Sequence, residues 1–364
     1  MTMRQDFIDQ TGLTGDVMEY ANPERSRVDT MMYTGADPWH RIGTKLDNPA
    51  TAEEAITAAG LDWQVRLERT FTRNLKGDLV ELDNRAIVRE DTESVFAVVG
   101  NRYSPLQNAD AFSFFDAVVG AGEAIYHTAG SLKGGRLIWI LAKLPDDIGI
   151  GGDTAEKYIM LSNSHDGSRA VDMRFCVRRV ICWNTFKMAV HNDELNVRLR
   201  HTGDILSKVT ATRDALGLAD AYFVNFMRGM EKLATTYWDD HTVAKYIDQL
   251  CGTSRHADGS LLVYRKHAGG WVPAGKRRTD MVGSIQRLYQ GDGMGSSLDT
   301  SRGTAWGAFN AVTEYLEHHR PMRNISGDDS LITARRLDSS FYGVGAKIEQ
   351  RAWNLAHEMS FLGV

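Results

Sequence analysis

The sequence predicts an α+β protein, with a mostly antiparallel sheet and a few helices in the first half and a helical C-terminal half. Apolar and polar residues alternate from Leu61, an almost continuous apolar run fills 137–144, and after residue 203 apolar residues recur at every third or fourth position. A period of two is typical of strands, and a period of three to four is typical of helices. We therefore expect an acidic N-terminal arm over 1–30, an α+β core domain over 31–203 and a mainly helical domain over 204–364.

The first half contains signals for both strands and helices. Thr51 and Glu54 have the spacing of a capping box, and Gly60 closes the short helix that they begin. Asn108 can cap a second helix, in which Phe112 and Phe115 belong to an apolar stripe. Strands are predicted over 61–71, 79–88, 95–99, 137–144, 158–161 and 170–186, with a hairpin turn at 89–92.

Long helices dominate the second half. The pattern predicts them over 205–238, 242–250, 280–289, 304–318 and 341–361. The glycine-rich segment at 291–297 and Pro321 interrupt the pattern. No internal repeat of useful length is visible.

Composition excludes a disordered or generally polycationic chain. Of 364 residues, 43% are hydrophobic, which is enough for a sizeable core, and the net charge is -5. Residues 1–60 contain five basic and ten acidic residues and so account for the whole net charge. Any nucleic-acid site must therefore be a local basic cluster.

The three cysteines, Cys176, Cys182 and Cys251, are odd in number and lack paired metal or redox spacing. Reduced thiols fit a cytoplasmic protein, which would be the host cytoplasm for a phage-encoded chain. The N-terminus has acidic residues where a signal peptide needs basic ones, and no apolar run approaches the length of a membrane span. We expect no membrane association and no cofactor.

Cations and aromatic residues interleave along the predicted strand that begins at residue 174. In an extended chain, alternate side chains share a face, so guanidinium groups can hold phosphates while aromatic rings stack on bases. Residues 174–201 contain six basic and two acidic residues. The candidate nucleic-acid-binding residues here are Arg174, Arg178, Arg179, Trp183, Phe186, Lys187, Arg198 and Arg200, with Phe175 as a further stacking surface. The alternative is an edge strand with solvated arginines and aromatic residues in the core.

A second basic cluster lies at 264–278, where five lysines or arginines occur without a carboxylate. Glycines at 269, 270 and 275 predict a basic loop that can close over a strand of nucleic acid. Its candidate binding residues are Arg265, Lys266, Trp271, Lys276, Arg277 and Arg278. The alternative is a solvated surface hairpin.

The segment 162–168 gathers hydroxyls, an imidazole and a carboxylate on a predicted turn. His165 and Asp166 could act together, or could join a third ligand such as His127 or His201 around a metal. A hydrolase or nuclease would use His165, Asp166 and His201, with His40 as a further candidate. A structural Asp-Gly turn explains the same residues without any function. Phosphate-loop, dinucleotide, zinc-protease and serine-hydrolase motifs are all missing from the sequence.

Several segments together resemble the phage/plasmid-like protein family, which is built on a domain of unknown function. They are MYTGADPWHRIG, TAEEAITAAGLDW, NRYSPLQNADAF, AGSLKGGRLIWILAKL, SNSHDGS, RRVICWNTF and GTAWGAFNAVTEYLEH. The resemblance extends from about Met31 to the C-terminal helix. It implies a mobile-element origin and supplies no catalytic residue.

These observations favour a protein that binds single-stranded DNA without sequence readout. We expect it to be a homo-oligomer that serves recombination or replication of a phage or plasmid, with strand annealing as a candidate task by analogy with single-strand annealing proteins. One alternative is the metal-assisted hydrolase or nuclease based on His165, Asp166 and His201. Another is a host-interaction or anti-defence protein, in which the acidic N-terminal arm imitates nucleic-acid charge.

Overall fold

The computed structural model describes residues 28–35, 43–47, 49–119, 124–180, 185–186, 197–211, 219–255, 261–267, 270–273, 276–321 and 329–361. The predicted acidic arm, apart from residues 28–30, lies outside this part of the chain, as do His40, Cys182, Trp183 and Lys187. Strands prevail in the first half of the described chain and helices in the second, which confirms the predicted α+β class.

The described strands are β1 (Val28–Thr34), β2 (Thr44–Leu46), β3 (Val65–Arg73), β4 (Leu79–Arg89), β5 (Ser94–Gly100), β6 (Ile125–Leu132), β7 (Leu137–Lys143), β8 (Ile148–Ile150), β9 (Asp153–Ser164), β10 (Val171–Arg179), β11 (Thr185–Phe186), β12 (Val197–Leu199), β13 (Thr253–Arg255), β14 (Leu261–His267) and β15 (Gly270–Pro273). The described helices are α1 (Ala52–Ala58), α2 (Asn108–Val119), α3 (Ile205–Ala211), α4 (Ala219–Thr235), α5 (Asp240–Cys251), α6 (Lys276–Arg287), α7 (Ala305–Glu314), α8 (Asp329–Tyr342) and α9 (Val344–Phe361). Two π-helical turns, Leu288–Asp292 and Tyr315–His319, continue α6 and α7.

The large sheet has the strand order β11-β10-β9-β7-β6-β1-β2, with β12 paired to β10 and β8 paired to β9. Among these pairs, only β1 and β2 run parallel. The mostly antiparallel sheet predicted from the alternating pattern is therefore confirmed. Strand β7 is buried on both faces, as its continuous apolar run indicates.

The two faces of β7 contact different parts of the chain. Ile138 and Ile140 belong to the main core together with Phe112 of α2. Trp139 points to the opposite face, where its ring lies 6.3 Å from that of Phe341 in α8. The alternation of side chains along this one strand therefore connects the sheet to two layers of helices.

A separate three-stranded sheet, with the order β3-β4-β5, contains the predicted hairpin between β4 and β5. Its first strand begins at Val65, whereas the sequence pattern started it at Leu61. Leu61 and Trp63 are buried, but their carbonyl oxygens accept hydrogen bonds from the Asn108 side chain and not from a neighbouring strand. Asn108, expected as a helix cap, therefore fastens the approach to β3 against the start of α2.

The helical half packs directly on the large sheet. Phe175 of β10 lies 5.5 Å from the ring of Tyr222 and 5.6 Å from that of Phe223, both in α4. One core cluster extends from Met32 to Met359 and so spans the predicted division at 203–204. Phe175, predicted to be a stacking surface for bases, is instead a buried core residue.

Candidate nucleic-acid interface

Two of the candidate arginines on β10 are held by carboxylates. Arg174 forms an ion pair with Asp172, at 2.6 Å between Nη2 and Oδ2. Arg178 donates from Nε to Oε2 of Glu156 at 2.9 Å, and its guanidinium lies 5.3 Å from the ring centre of Tyr158. Both arginine side chains are mostly buried. Their charges are neutralised within the fold, so the prediction that they hold phosphates is not supported by their geometry.

Arg179 is fully buried and connects the sheet to the helical half. Its Nε donates to both Asp153 oxygens at 2.7 and 2.8 Å, and its Nη2 donates to Ser301 Oγ at 2.7 Å. Trp306 of α7 donates from Nε1 to the same Asp153 carboxylate at 2.7 Å. With 1% of its surface exposed, Arg179 cannot reach a phosphate, which corrects its assignment as a binding residue.

The remaining candidates near β10 differ in their exposure. Arg198 is 72% exposed, although its Nε lies 3.1 Å from Asp172, and Arg200 is also exposed. Phe186 lies in β11 with its backbone paired to Val177, and its side chain is outside the described part, as are Trp183 and Lys187. Arg198 and Arg200 are therefore the arginines of this group that the described structure leaves open to solvent.

The predicted basic loop at 264–278 is a hairpin followed by a helix. Strands β14 and β15 pair in antiparallel register, with Lys266 opposite Trp271 and Arg265 opposite Val272. Helix α6 then begins at Lys276, so Arg277 and Arg278 also fall in its first turn. The backbone of these six residues is described and their side chains are not. We call the stretch from Leu261 to Arg278 the basic segment.

The predicted His165 site is a buried structural network. His165 Nε2 lies 2.8 Å from Asn108 Oδ1, while the Asn108 amide nitrogen donates to the carbonyl oxygens of Leu61 and Trp63. Since that nitrogen is the donor, Asn108 Oδ1 is the atom that faces the imidazole, and the Asn163 amide nitrogen lies 3.4 Å from the same Nε2. Complete burial lowers the pKa of His165 to about 3, so the imidazole is neutral near pH 7.

Asp166 and His201 have partners of their own. Asp166 Oδ1 accepts from Ser164 Oγ and from the backbone nitrogen of Ser168 at 3.0 Å, and these hydrogen bonds close the turn. The His165 imidazole contacts Asn108 instead of Asp166. His201 donates from Nδ1 to Ser104 O at 3.2 Å and stacks on Tyr103 with ring centres 4.8 Å apart. Within the described ranges, no three His, Cys, Asp or Glu side chains are grouped so that they could hold a metal. The geometry therefore favours the structural turn over the metal-ligand set.

A polar cleft in the helical half was missed by the sequence analysis. It has a volume of 730 Å³, and its lining includes Tyr237 and Arg302. These two residues are 65 positions apart in the sequence, and a single β-bridge between Tyr237 and Thr304 brings their segments together. Pairing over such a separation leaves no local pattern; the only sequence signal was the glycine-rich interruption at 291–297.

The family model for DUF932, a domain of unknown function, matches residues 95–339. The chain belongs to the DUF932 family. No curated protein and no solved structure matches it. The DUF932 match includes every strand from β6 to β15, the basic segment and the polar cleft, whereas β3 and β4 lie outside it. None of the helices described here combines the length and the apolar character needed to cross a membrane.

Proposed function

We propose that this DUF932 protein binds single-stranded nucleic acid without sequence readout, through the basic segment of its helical half. The observation that carries the proposal is the register of the β14–β15 hairpin, in which Lys266 is directly opposite Trp271. Residues directly opposite each other in an antiparallel pair share a face. A lysine and a tryptophan at paired positions are residue types suited to the two contacts of such binding, one to a phosphate and one to a base.

The start of α6 adds three further basic residues to this segment. Lys276, Arg277 and Arg278 occupy its first turn, and the sequence from 264 to 278 contains no carboxylate. Arg198 and Arg200, both exposed, are the second group of cations available to a phosphate backbone. Because the whole chain carries a net charge of -5, attraction has to come from these local groups.

The setting that we propose is recombination or replication of a phage or plasmid, with strand annealing as the specific task. It is supported by the resemblance of segments such as SNSHDGS and GTAWGAFNAVTEYLEH to phage/plasmid-like proteins. Annealing requires many nucleotides to be held at once, so we propose a homo-oligomer that repeats the basic segment along the strand. Such a protein would act in the host cytoplasm.

Fluorescence anisotropy with labelled single-stranded and duplex oligonucleotides over a salt series tests the proposal. Replacing Lys276, Arg277 and Arg278 together by Gln should weaken binding to all sequences. It should also reduce the slope of log K against log salt by about 2, since each phosphate contact on a single strand contributes about 0.7.

The matched control replaces Arg69, Arg73 and Arg85 by Gln. These arginines lie on β3 and β4, in a different sheet from β14 and β15, so the same change in charge should leave binding nearly unchanged. Equal losses in the two triple variants would indicate a general charge effect and contradict the site. The absence of binding at low salt would refute the function itself.

A further inference from the structure

The polar cleft lies in the helical half, and its lining contains no residue of the basic segment. The start of α5, the π-helical turn at Leu288–Asp292 and the loop at 296–303 form its walls. Its volume of 730 Å³ is within the range of about 300–1,000 Å³ that is typical of small-ligand sites. Three exposed side chains of its lining could contact a ligand, namely those of Tyr237, Asp240 and Arg302.

The fold exposes Tyr237 by a short pairing between two loops. Trp238 N donates to Gly303 O at 2.9 Å, and Ala305 N donates to Thr236 O at 3.0 Å. Adjacent side chains of such an extended segment point to opposite sides, so Trp238 is 4% exposed while Tyr237 is 77% exposed. Gly303 lies against the Tyr237 ring, where an added Cβ would be 3.2 Å from Cε2. One part of the ring therefore packs against Gly303, while most of the side chain is exposed to solvent.

The polar groups of the cleft are available to a ligand. Within the described ranges, the side chains of Tyr237, Asp240 and Arg302 form no hydrogen bond or ion pair with the protein. Asp239 differs, because it caps α5 by accepting from Thr242 N at 2.8 Å. An exposed aromatic ring, a guanidinium and a carboxylate thus line one cleft with their binding capacity unused.

We propose that this cleft binds one nucleoside phosphate unit with a guanine base. Tyr237 stacks on the base, Arg302 pairs with the phosphate, and the Asp240 carboxylate accepts from the base edge. Guanine presents two adjacent donors, N1–H and the exocyclic amine, which match the two oxygens of a carboxylate. Uracil and thymine present one N–H between two carbonyl oxygens, which a carboxylate repels.

The unit can come from a free nucleotide or from a nucleotide within a strand, since both offer the same base and phosphate. The inference goes beyond the proposed function, because no residue of the basic segment lines the cleft. Binding at one site can therefore fail without failure at the other.

Isothermal titration with GMP and UMP tests the free nucleotide. We expect GMP to bind at least about tenfold more tightly than UMP, as a bidentate contact to a base provides. Arg302→Gln should weaken both nucleotides about tenfold, and Asp240→Asn should remove the preference for GMP. Anisotropy with a thymidine oligonucleotide, with or without one guanine, tests the nucleotide within a strand.

The matched controls are Arg287→Gln and Asp280→Asn, exposed residues of α6 that do not line the cleft. Thermal melting checks that all variants fold, as expected for exposed side chains.

Tighter binding of GMP than of UMP, without a guanine preference in the oligonucleotide, supports a site for a free nucleotide. A guanine preference in the oligonucleotide that Asp240→Asn removes supports a site for a nucleotide within a strand. Equal binding of GMP and UMP with no guanine preference in the strand, or unchanged binding by Arg302→Gln, overturns the inference. Loss of strand binding in the α6 triple variant with GMP binding retained would show that the two sites are separate.

Discussion

Replacing Arg179 by Ala should severely destabilise the protein. The buried Asp153 carboxylate receives two close contacts from Arg179 Nε and one from Trp306 Nε1, and Arg179 also donates to Ser301. Without the guanidinium, the carboxylate stays buried with the indole N–H as its remaining donor among the described residues. Removing one partner of a buried ion pair costs about 3–5 kcal/mol, which is a large share of a typical free energy of unfolding of about 5–15 kcal/mol.

Urea denaturation followed by circular dichroism measures this loss. The matched control is Arg198→Ala, because Arg198 is 72% exposed and its ion pair with Asp172 should contribute about 0–1 kcal/mol. In the double variant with Asp153→Ala, part of the cost should be recovered, since no unpaired buried charge remains. If Arg179→Ala lowered the free energy of unfolding by less than about 1 kcal/mol and weakened nucleic-acid binding instead, the structural role of Arg179 would be refuted.

Two further predictions concern packing and acid sensitivity. Gly307→Ala should lower stability by about 1–3 kcal/mol in a thermal melt, because an added Cβ would overlap the Ser301 carbonyl oxygen, whereas Gly100→Ala has open space and should change little. In acid, burial holds the pKa of His165 at about 3 against its ordinary 6.5, so below pH 6.5 the unfolded state takes up more protons and the free energy of unfolding falls. Burial raises the pKa of Glu156, but the Arg178 charge together with the hydrogen bonds from Tyr158, Lys143 and Arg178 outweighs burial and leaves that pKa at about 2. The loss therefore continues from about pH 4.5 downward. Urea denaturation at each pH measures the free energy of unfolding. His165→Gln should make that free energy depend less steeply on pH between pH 6.5 and 4, and an unchanged pH dependence would contradict the role of His165 burial.

The sequence pattern predicted those elements that depend on residues close together in the sequence. The capping box of Thr51 and Glu54 forms as predicted, with both reciprocal hydrogen bonds present. The apolar run that became β7 was also correctly assigned. The start of β3 was placed four residues early, because the carbonyl groups there are taken by Asn108, more than forty residues away. A partner at that distance in the sequence leaves no signal in the local pattern.

The candidate site was harder to predict, for a related reason. Arg178 lies directly opposite Glu156 in the β9–β10 register, and Arg179 reaches Asp153 across the same pair of strands. Composition indicates a positive stretch along β10, but the carboxylates that neutralise Arg178 and Arg179 are 22 and 26 residues earlier. Cross-strand pairs of opposite charge are a common source of sheet stability. An arginine-rich strand therefore has to be judged together with its neighbouring strands.

The pairing of these arginines changes what a salt titration should show. Only a cation that replaces counterions on a phosphate contributes to the salt dependence of binding. If all eleven basic candidate residues named from the sequence held phosphates on a single strand, the slope of log K against log salt would be about -8. If only the five cations of the basic segment and the exposed Arg198 and Arg200 do so, the slope should be about -5. The shallower slope would agree with β10 arginines that keep their ion pairs within the fold. The slope of about -8 would require those ion pairs to open when nucleic acid binds.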